Sequence, residues 1–175
     1  APHDMLITQA YDPNADEKQA FLPRNVGWYR KHFYLPLDWI NQSIWFECEG
    51  SFHESIIWIN GQKVNSSVGT TTSNVHKAGY TSFIVRIDDV PGIHFGSGRA
   101  NLMALYIDAS TGTGWWYEGG GLMRHNYLIS TSSKVHLLPG SGNGAWVYAD
   151  TIDVSAKKAT LRMTATVVNP GNVDY

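Results

Sequence analysis

An all-β fold, an antiparallel β-sandwich of jelly-roll type, is what this sequence predicts, and three observations carry the prediction. Apolar and polar residues alternate in short runs, as at Ile44, Phe46 and Cys48, which is the period of a strand with one face buried. Glycine- and proline-bearing turns such as Asn60-Gly61 and Pro91-Gly92 separate the runs. No window of a dozen residues carries the 3.6-residue apolar period of an amphipathic helix. Many short strands punctuated in this way belong to sandwiches and barrels.

Taken in order, residues 1–25 read as irregular, with Pro2, Pro13 and Pro23 around a polar centre from Asp12 to Gln19. A strand begins at Gly27 with Trp28, Tyr29, Phe33, Tyr34 and Leu35 and stops at Pro36. Ser43 to Glu49 sets Ile44, Phe46 and Cys48 on one face and Trp45, Glu47 and Glu49 on the other. Ser55 to Asn60 is short, apolar and β-branched, and its Asn60-Gly61 ending predicts a hairpin because both residues tolerate positive φ, with Val64 on the return strand. Asn65 to Lys77 reads as a polar loop. Tyr80 to Asp88, Leu102 to Asp108, Tyr127 to Ile129 and Lys134 to Leu138 read as further strands, with Phe83, Val85 and Ile87 sharing a face. Pro139 to Gly144 has linker composition, and strands at 146–154 and 159–168 follow it, the second alternating Leu161, Met163, Ala165 and Val167 against Thr160, Arg162, Thr164 and Thr166.

The 175 residues, 43% hydrophobic and 13% aromatic, suffice for one well-packed domain and a remainder. A net charge of -2 with 16% charged residues and no basic run leaves no electrostatic footprint for nucleic acid or an anionic membrane. No apolar run approaches the length of a membrane span. The residues after Ala1 do not read as a signal peptide. A secreted or periplasmic protein whose leader has been removed is equally consistent, so the compartment stays open. Cys48 is alone, which leaves no disulfide framework and no thiolate metal site, and its place in an alternating run reads as a small buried residue. The seven histidines are scattered without zinc-ligand spacing, and His53-Glu54 reads as a surface pair. Gly119, Gly120 and Gly121 are not a phosphate loop, since no Lys-Ser/Thr follows. No metal and no cofactor is expected. Asn41-Gln-Ser and Asn65-Ser-Ser fit the glycosylation acceptor pattern.

One stretch carries more chemistry than the rest. Trp115-Trp-Tyr-Glu-Gly-Gly-Gly-Leu-Met-Arg124 puts three aromatic rings, a carboxylate, three glycines and a guanidinium into ten residues. The glycines suit a tight loop that another backbone or a ligand can approach closely. Rings beside charged groups suit a polyhydroxylated ligand, the rings covering C–H faces and the charges taking hydroxyls. The plainer reading is an aromatic cluster at the core edge, tied down by Arg124.

Four segments in this order, Gly27-Trp-Tyr-Arg-Lys-His-Phe, Trp58-Ile-Asn-Gly61, His76-Lys-Ala-Gly-Tyr-Thr-Ser-Phe83 and Trp116 to Arg124, resemble the N-terminal sugar-binding domain of glycoside hydrolase family 2 enzymes. Pro2-His3-Asp4 is similar to the Pro-His-Asp segment that precedes that domain in β-galactosidases of the family. The Trp-Trp-Tyr-Glu-Gly-Gly-Gly loop leans the same way. The resemblance spans roughly residues 2–138, and residues 145–169 resemble the opening strands of the immunoglobulin-like domain that comes next. It implies a galactose-binding-domain-like jelly roll at 1–138, a linker at 139–144 and a truncated immunoglobulin-like sandwich at 145–175.

What the resemblance implies for function is a retaining glycosidase, most readily a β-galactosidase. In it one glutamate protonates the leaving oxygen and another attacks the anomeric carbon, both held on a (β/α)₈ barrel. A barrel needs about 250 residues, so the expectation for this chain is a non-catalytic fragment that carries no catalytic residue itself. Its partners would be a β-galactoside in the parent and the parent's own barrel. The family's loop before Arg124 walls the terminal-sugar site, which implies substrate contacts from Trp115, Trp116 and Glu118, with His3 and Asp4 near the same side. Trp115 stands where some relatives have an acidic residue, so a stacking face replaces a hydroxyl acceptor that Glu118 could supply. Arg124 and Tyr117 are read as loop support, and Tyr80 and Phe83 as core. An autonomous carbohydrate-binding module at Trp115–Tyr117 is one alternative. The other is a structural domain that associates with a second copy through exposed strand edges at 145–175.

Overall fold

The computed structural model describes residues 2–64, 75–112, 114–133, 135–140 and 144–169. The Asn65 acceptor pattern, positions 65–74 of the expected polar loop, 141–143 of the expected linker and residues 170–175 lie outside the described residues. Every regular element among the described residues is a strand or a single 3₁₀ turn. In chain order the strands are β1 (His3–Asp4), β2 (Val26–Phe33), β3 (Ser43–Cys48), β4 (Ser51–Phe52), β5 (Glu54–Ile59), β6 (Gln62–Lys63) and β7 (Phe83–Arg86), then β8 (Asn101–Asp108), β9 (Gly121–Leu122), β10 (Asn126–Thr131), β11 (His136–Leu137), β12 (Ala145–Asp153), β13 (Lys158–Ala165) and β14 (Val167–Val168).

Two antiparallel sheets, β2-β8-β5-β6 and β10-β3-β7, face each other as a sandwich. The core between them is built from the inward rows: Ile57 and Ile59 of β5 and Met103, Leu105 and Ile107 of β8 meet Ile44, Phe46 and Cys48 of β3 and Phe83 and Val85 of β7. The Asn60-Gly61 turn forms as its residues dictate, with φ of 49° and 82°. Val64 falls just past β6, yet its N–H still bonds Ile57 O at 2.9 Å and its side chain is buried.

Two expectations are corrected here. The strand β3 is not half-buried; all six of its residues are buried. Trp45 on its outer face packs with Ile84, Leu138, Ile129 and Val168. Those last contacts exist because β11 pairs with β14, laying residues from beyond the sandwich over the outer face of β3. Residues 1–25 are also not merely irregular. They hold β1, which pairs with β9, and a 3₁₀ turn at Glu17–Gln19 that Asp16 caps by accepting from Lys18 N at 3.0 Å.

The β12–β13 hairpin differs from the long strands before it, because every residue of its two strands is exposed. Its ladder sets Val147 opposite Met163, Ala149 opposite Leu161 and Ile152 opposite Ala159, with an irregularity between Ala149 and Thr151. The extra residue, Asp150, keeps Val147, Ala149 and Ile152 on the face of Ala159, Leu161 and Met163 despite the register shift, while Trp146 and Tyr148 lie on the other face.

Candidate functional site

The loop between β8 and β9 is held by the N-terminal segment. Strand β9 is the middle of a three-stranded ribbon, with Asp4 opposite Gly121 on one side and Phe52 opposite Gly121 on the other. Gly121 has φ of 132°, and a Cβ there would strike the His3 carbonyl oxygen and the Tyr29 hydroxyl. The close approach anticipated from the glycine run is therefore made by the chain's own N-terminal strand. Asp4 is the hub of this junction. Its Oδ1 accepts from Leu6 N at 2.9 Å and Gly120 N at 3.1 Å, and its Oδ2 accepts from the Tyr117 hydroxyl at 2.6 Å. Burial, then the hydrogen bond to Asp4 and its charge, push the Tyr117 phenol well above the ordinary tyrosine range. At His3 the backbone carbonyl accepts from Tyr29 OH at 3.1 Å, and Nδ1 lies 2.9 Å from the same hydroxyl.

A second clamp comes from residues 16–24. Gln19 is fully buried; its amide nitrogen donates to Trp116 O and its Oε1 accepts from Glu118 N at 3.1 Å. Arg24 donates to Glu118 Oε2 at 3.2 Å, with the Glu118 side chain 1% exposed. Tyr80 OH donates to Glu118 O at 3.3 Å. From the far side Arg124, at φ 64°, donates through one guanidinium nitrogen to Glu49 O at 3.1 Å and Tyr80 O at 3.0 Å.

The two indole rings remain outside these clamps, although the Trp116 carbonyl is held by Gln19. Trp115 is 85% exposed and Trp116 63% exposed. Lys18 Nζ sits 5.8 Å from the Trp115 ring centroid, a cation–π distance. The loop thus divides into an outward pair, Trp115 and Trp116, and an inward pair, Tyr117 and Glu118. Such an arrangement can stack on a ligand but holds the Glu118 carboxylate against Arg24. Among the described residues no group of three or more His, Cys, Asp or Glu side chains could hold a metal ion.

Two readings of neighbouring residues need correcting. Tyr80 is not core; it is 46% exposed, its ring packed 5.1 Å from Phe52 while its hydroxyl braces the loop, whereas Phe83 is buried. His53 is not part of a surface pair: it is half-buried, its Nδ1 is buried without a hydrogen-bond partner, and Glu54 pairs instead with Lys77 at 3.3 Å.

Relatives share this architecture. No family model matches the chain. The β-galactosidase BoGH2A of Bacteroides ovatus is 29% identical over 178 residues, taking in 99% of this chain and 18% of that protein. A solved glycosyl hydrolase family 2 member from Bacteroides cellulosilyticus superposes with a TM-score of 0.70 at 28% identity, covering 97% of this chain and 20% of that one. Over almost its whole length the chain is similar to glycoside hydrolase family 2 enzymes. A β-glucuronidase of Formosa agariphila is also similar, 25% identical over 163 residues, 83% of this chain and 15% of that protein. The chain spans less than a fifth of the length of the curated relatives it matches.

The site residues that the sequence did not mark are Gln19 and Arg24. The Asp16 cap ahead of Glu17-Lys-Gln was a usable signal for a turn. Nothing local marks Gln19 or Arg24 as clamps, because their partners lie 94 to 99 residues away.

Proposed function

We propose that this domain serves a family 2 glycosidase as a non-catalytic wall. Trp115 and Trp116 line the terminal-sugar site of a catalytic barrel in the same parent chain, and the sugar is a β-galactoside. The observation that carries the reading is the split within the loop: two large indoles face solvent while the residues on their C-terminal side are pinned by Asp4, Gln19 and Arg24. Exposed aromatic faces on a loop fixed by buried bonds are pre-organised for stacking and lose little entropy on binding. His3 and Asp4 act in this reading as loop supports, and Glu118 holds the loop through Arg24.

The hairpin fits the same picture. We read residues 1–138 as the sandwich domain, 139–144 as a linker and 145–175 as the opening of an immunoglobulin-like sandwich. The support is the exposed apolar face that Val147, Ile152, Leu161 and Met163 form on β12 and β13, with no covering sheet among the described residues. In isolation that face and the free strand edges favour association with a second copy.

The test uses the parent enzyme on nitrophenyl glycosides. Trp116→Ala should raise KM about tenfold with a smaller change in kcat, as loss of an aromatic anchor worth somewhat over 1 kcal/mol would. An unchanged KM would remove the loop from the site. A parent that cleaves the β-glucuronide in preference to the β-galactoside would overturn the substrate while leaving the wall intact. The 175-residue chain alone should hydrolyse neither.

A further inference from the structure

A cleft of about 750 Å³ opens between β2 and β10, the edge strands of the two facing sheets. That volume lies within the range of small-molecule sites. Core residues Phe46, Met103 and Leu105 line it, with Phe33 on the β2 side and Leu128 on the β10 side. The lining follows β2 from Trp28 to Phe33, about 17 Å of strand at roughly 3.3 Å per residue, which is long enough for an extended chain.

The charge along this slot runs against that of the whole chain. With 15 carboxylates to 13 cations the chain carries -2, yet Arg30 and Lys31 both line the cleft and no carboxylate does among the described residues. Lys31 lies opposite Met103 in the β2–β8 ladder, which places it on the core-facing row between Tyr29 and Phe33, both packed on the core. Arg30 lies on the other face of β2, its guanidinium 5.4 Å from the Trp28 ring centroid. Stacking of this kind leaves the in-plane N–H groups of the guanidinium free to donate. Neither side chain makes an ion pair among the described residues. The plainer reading of Lys31 is an inward charge that keeps the free β2 edge from pairing with another strand. That reading does not account for Arg30 or for the acid-free apolar lining beside the two cations. An alcohol would fill the slot and leave both cations unanswered, and an alkylammonium would be repelled. A carboxylate answers both.

We propose that this cleft binds an unbranched aliphatic carboxylate. Its chain lies over Met103 and Leu105, and its head group accepts from Lys31 Nζ and the Arg30 guanidinium. The inference does not rest on the role given to Trp115 and Trp116, and it involves neither a sugar nor a barrel.

Calorimetry of the 175-residue chain with octanoate below its micelle concentration tests it. Octanol supplies the chain without the charge, acetate the charge without the chain, and octylammonium the opposite charge. Octanoate should bind saturably at one site, about tenfold tighter than octanol, the combined worth of two exposed ion pairs. Acetate should give no heat, and octylammonium should bind more weakly than octanol. Lys31→Met should weaken octanoate about three- to fivefold and leave octanol unchanged. Adding Arg30→Met should bring octanoate down to octanol. Lys31→Glu with Arg30→Glu should reverse the order, so that octylammonium binds tighter than octanoate. Leu128→Trp should fill the slot and abolish all binding; if its circular dichroism shows a misfolded chain, Phe33→Trp from the β2 side replaces it. Equal affinities for octanoate and octanol in the wild type would overturn the proposal. A Lys31→Met chain that self-associates more than the wild type yet binds octanoate unchanged would do the same, since an edge-guarding lysine predicts that result. So would binding that survives the filled slot but is lost in Leu161→Asp, since that would put the ligand on the hairpin's apolar face.

Discussion

Strands β3 and β13 read alike in the sequence and end in opposite environments. Each alternates apolar residues against a mixed second face. All six residues of β3 are buried, and all eight of β13 are exposed. The difference is a matter of neighbours. Strand β3 lies between β10 and β7, its inner row meets the opposing sheet, and Leu138 and Val168 close over Trp45 outside. Strand β13 pairs with β12 alone. Alternation assigns side chains to faces, and the cover over each face then sets how much apolar area leaves water, at about 25 cal/mol per Å².

The comparison is broken most directly at Trp45. Trp45→Ala should cost about 3–5 kcal/mol in urea unfolding, because a fully buried indole leaves a cavity on the face that alternation alone would have left open to water. A loss below about 1 kcal/mol would mean that Leu138 and Val168 do not cover it. Next comes the clamp on the loop. Glu118→Gln should cost about 2–4 kcal/mol, since Arg24 keeps its charge in a mostly buried place with no compensating carboxylate.

A pH dependence sharpens the contrast further. Burial, the largest cause, pushes the Cys48 thiol of β3 up to about 11 from 9.0. Below pH 9 the thiol is protonated in both folded and unfolded chains and contributes no pH dependence. Between pH 9 and 11 the unfolded chain ionises first, so stability falls across that window, by up to about 2 kcal/mol. The half-buried phenols of Tyr29 and Tyr117, both raised, push in the same direction. Comparing the pH 8 to pH 10.5 loss in the wild type and in Cys48→Ala isolates the thiol; an identical loss in both would show that it is not buried as described. The smallest effect belongs to the hairpin. Leu161→Ala should change stability by less than about 0.5 kcal/mol, and hydrogen exchange should find β12 and β13 amides far less protected than those of β3 and β8.

Much of the candidate loop was legible before any coordinates, for local reasons. The glycine triplet after Trp-Trp-Tyr-Glu reads as a tight loop, which holds for Gly119 and Gly120 while Gly121 enters β9, and Arg124 is held to carbonyls as its chemistry suggested. What was not legible was the direction of each side chain. Glu118 looked like a free hydroxyl acceptor and is turned into Arg24, and Tyr80 looked like core and braces the loop from its edge. Gln19, in a stretch that reads as irregular, is among the most buried polar residues because the loop's backbone groups need partners away from water.

By itself the sequence determined the all-β class, the positions of the longer strands and the Asn60-Gly61 hairpin, but not the short strands β1, β4 and β9. It also marked which residues share a face, because period and turn chemistry act over a few residues and need no distant partner. Only the tertiary structure decided which faces are covered, which carboxylate is free and where the cleft between β2 and β10 opens. Those depend on pairs such as Asp4 with Tyr117 and Trp45 with Val168, more than a hundred residues apart along the chain, brought together by a fold that no local pattern encodes.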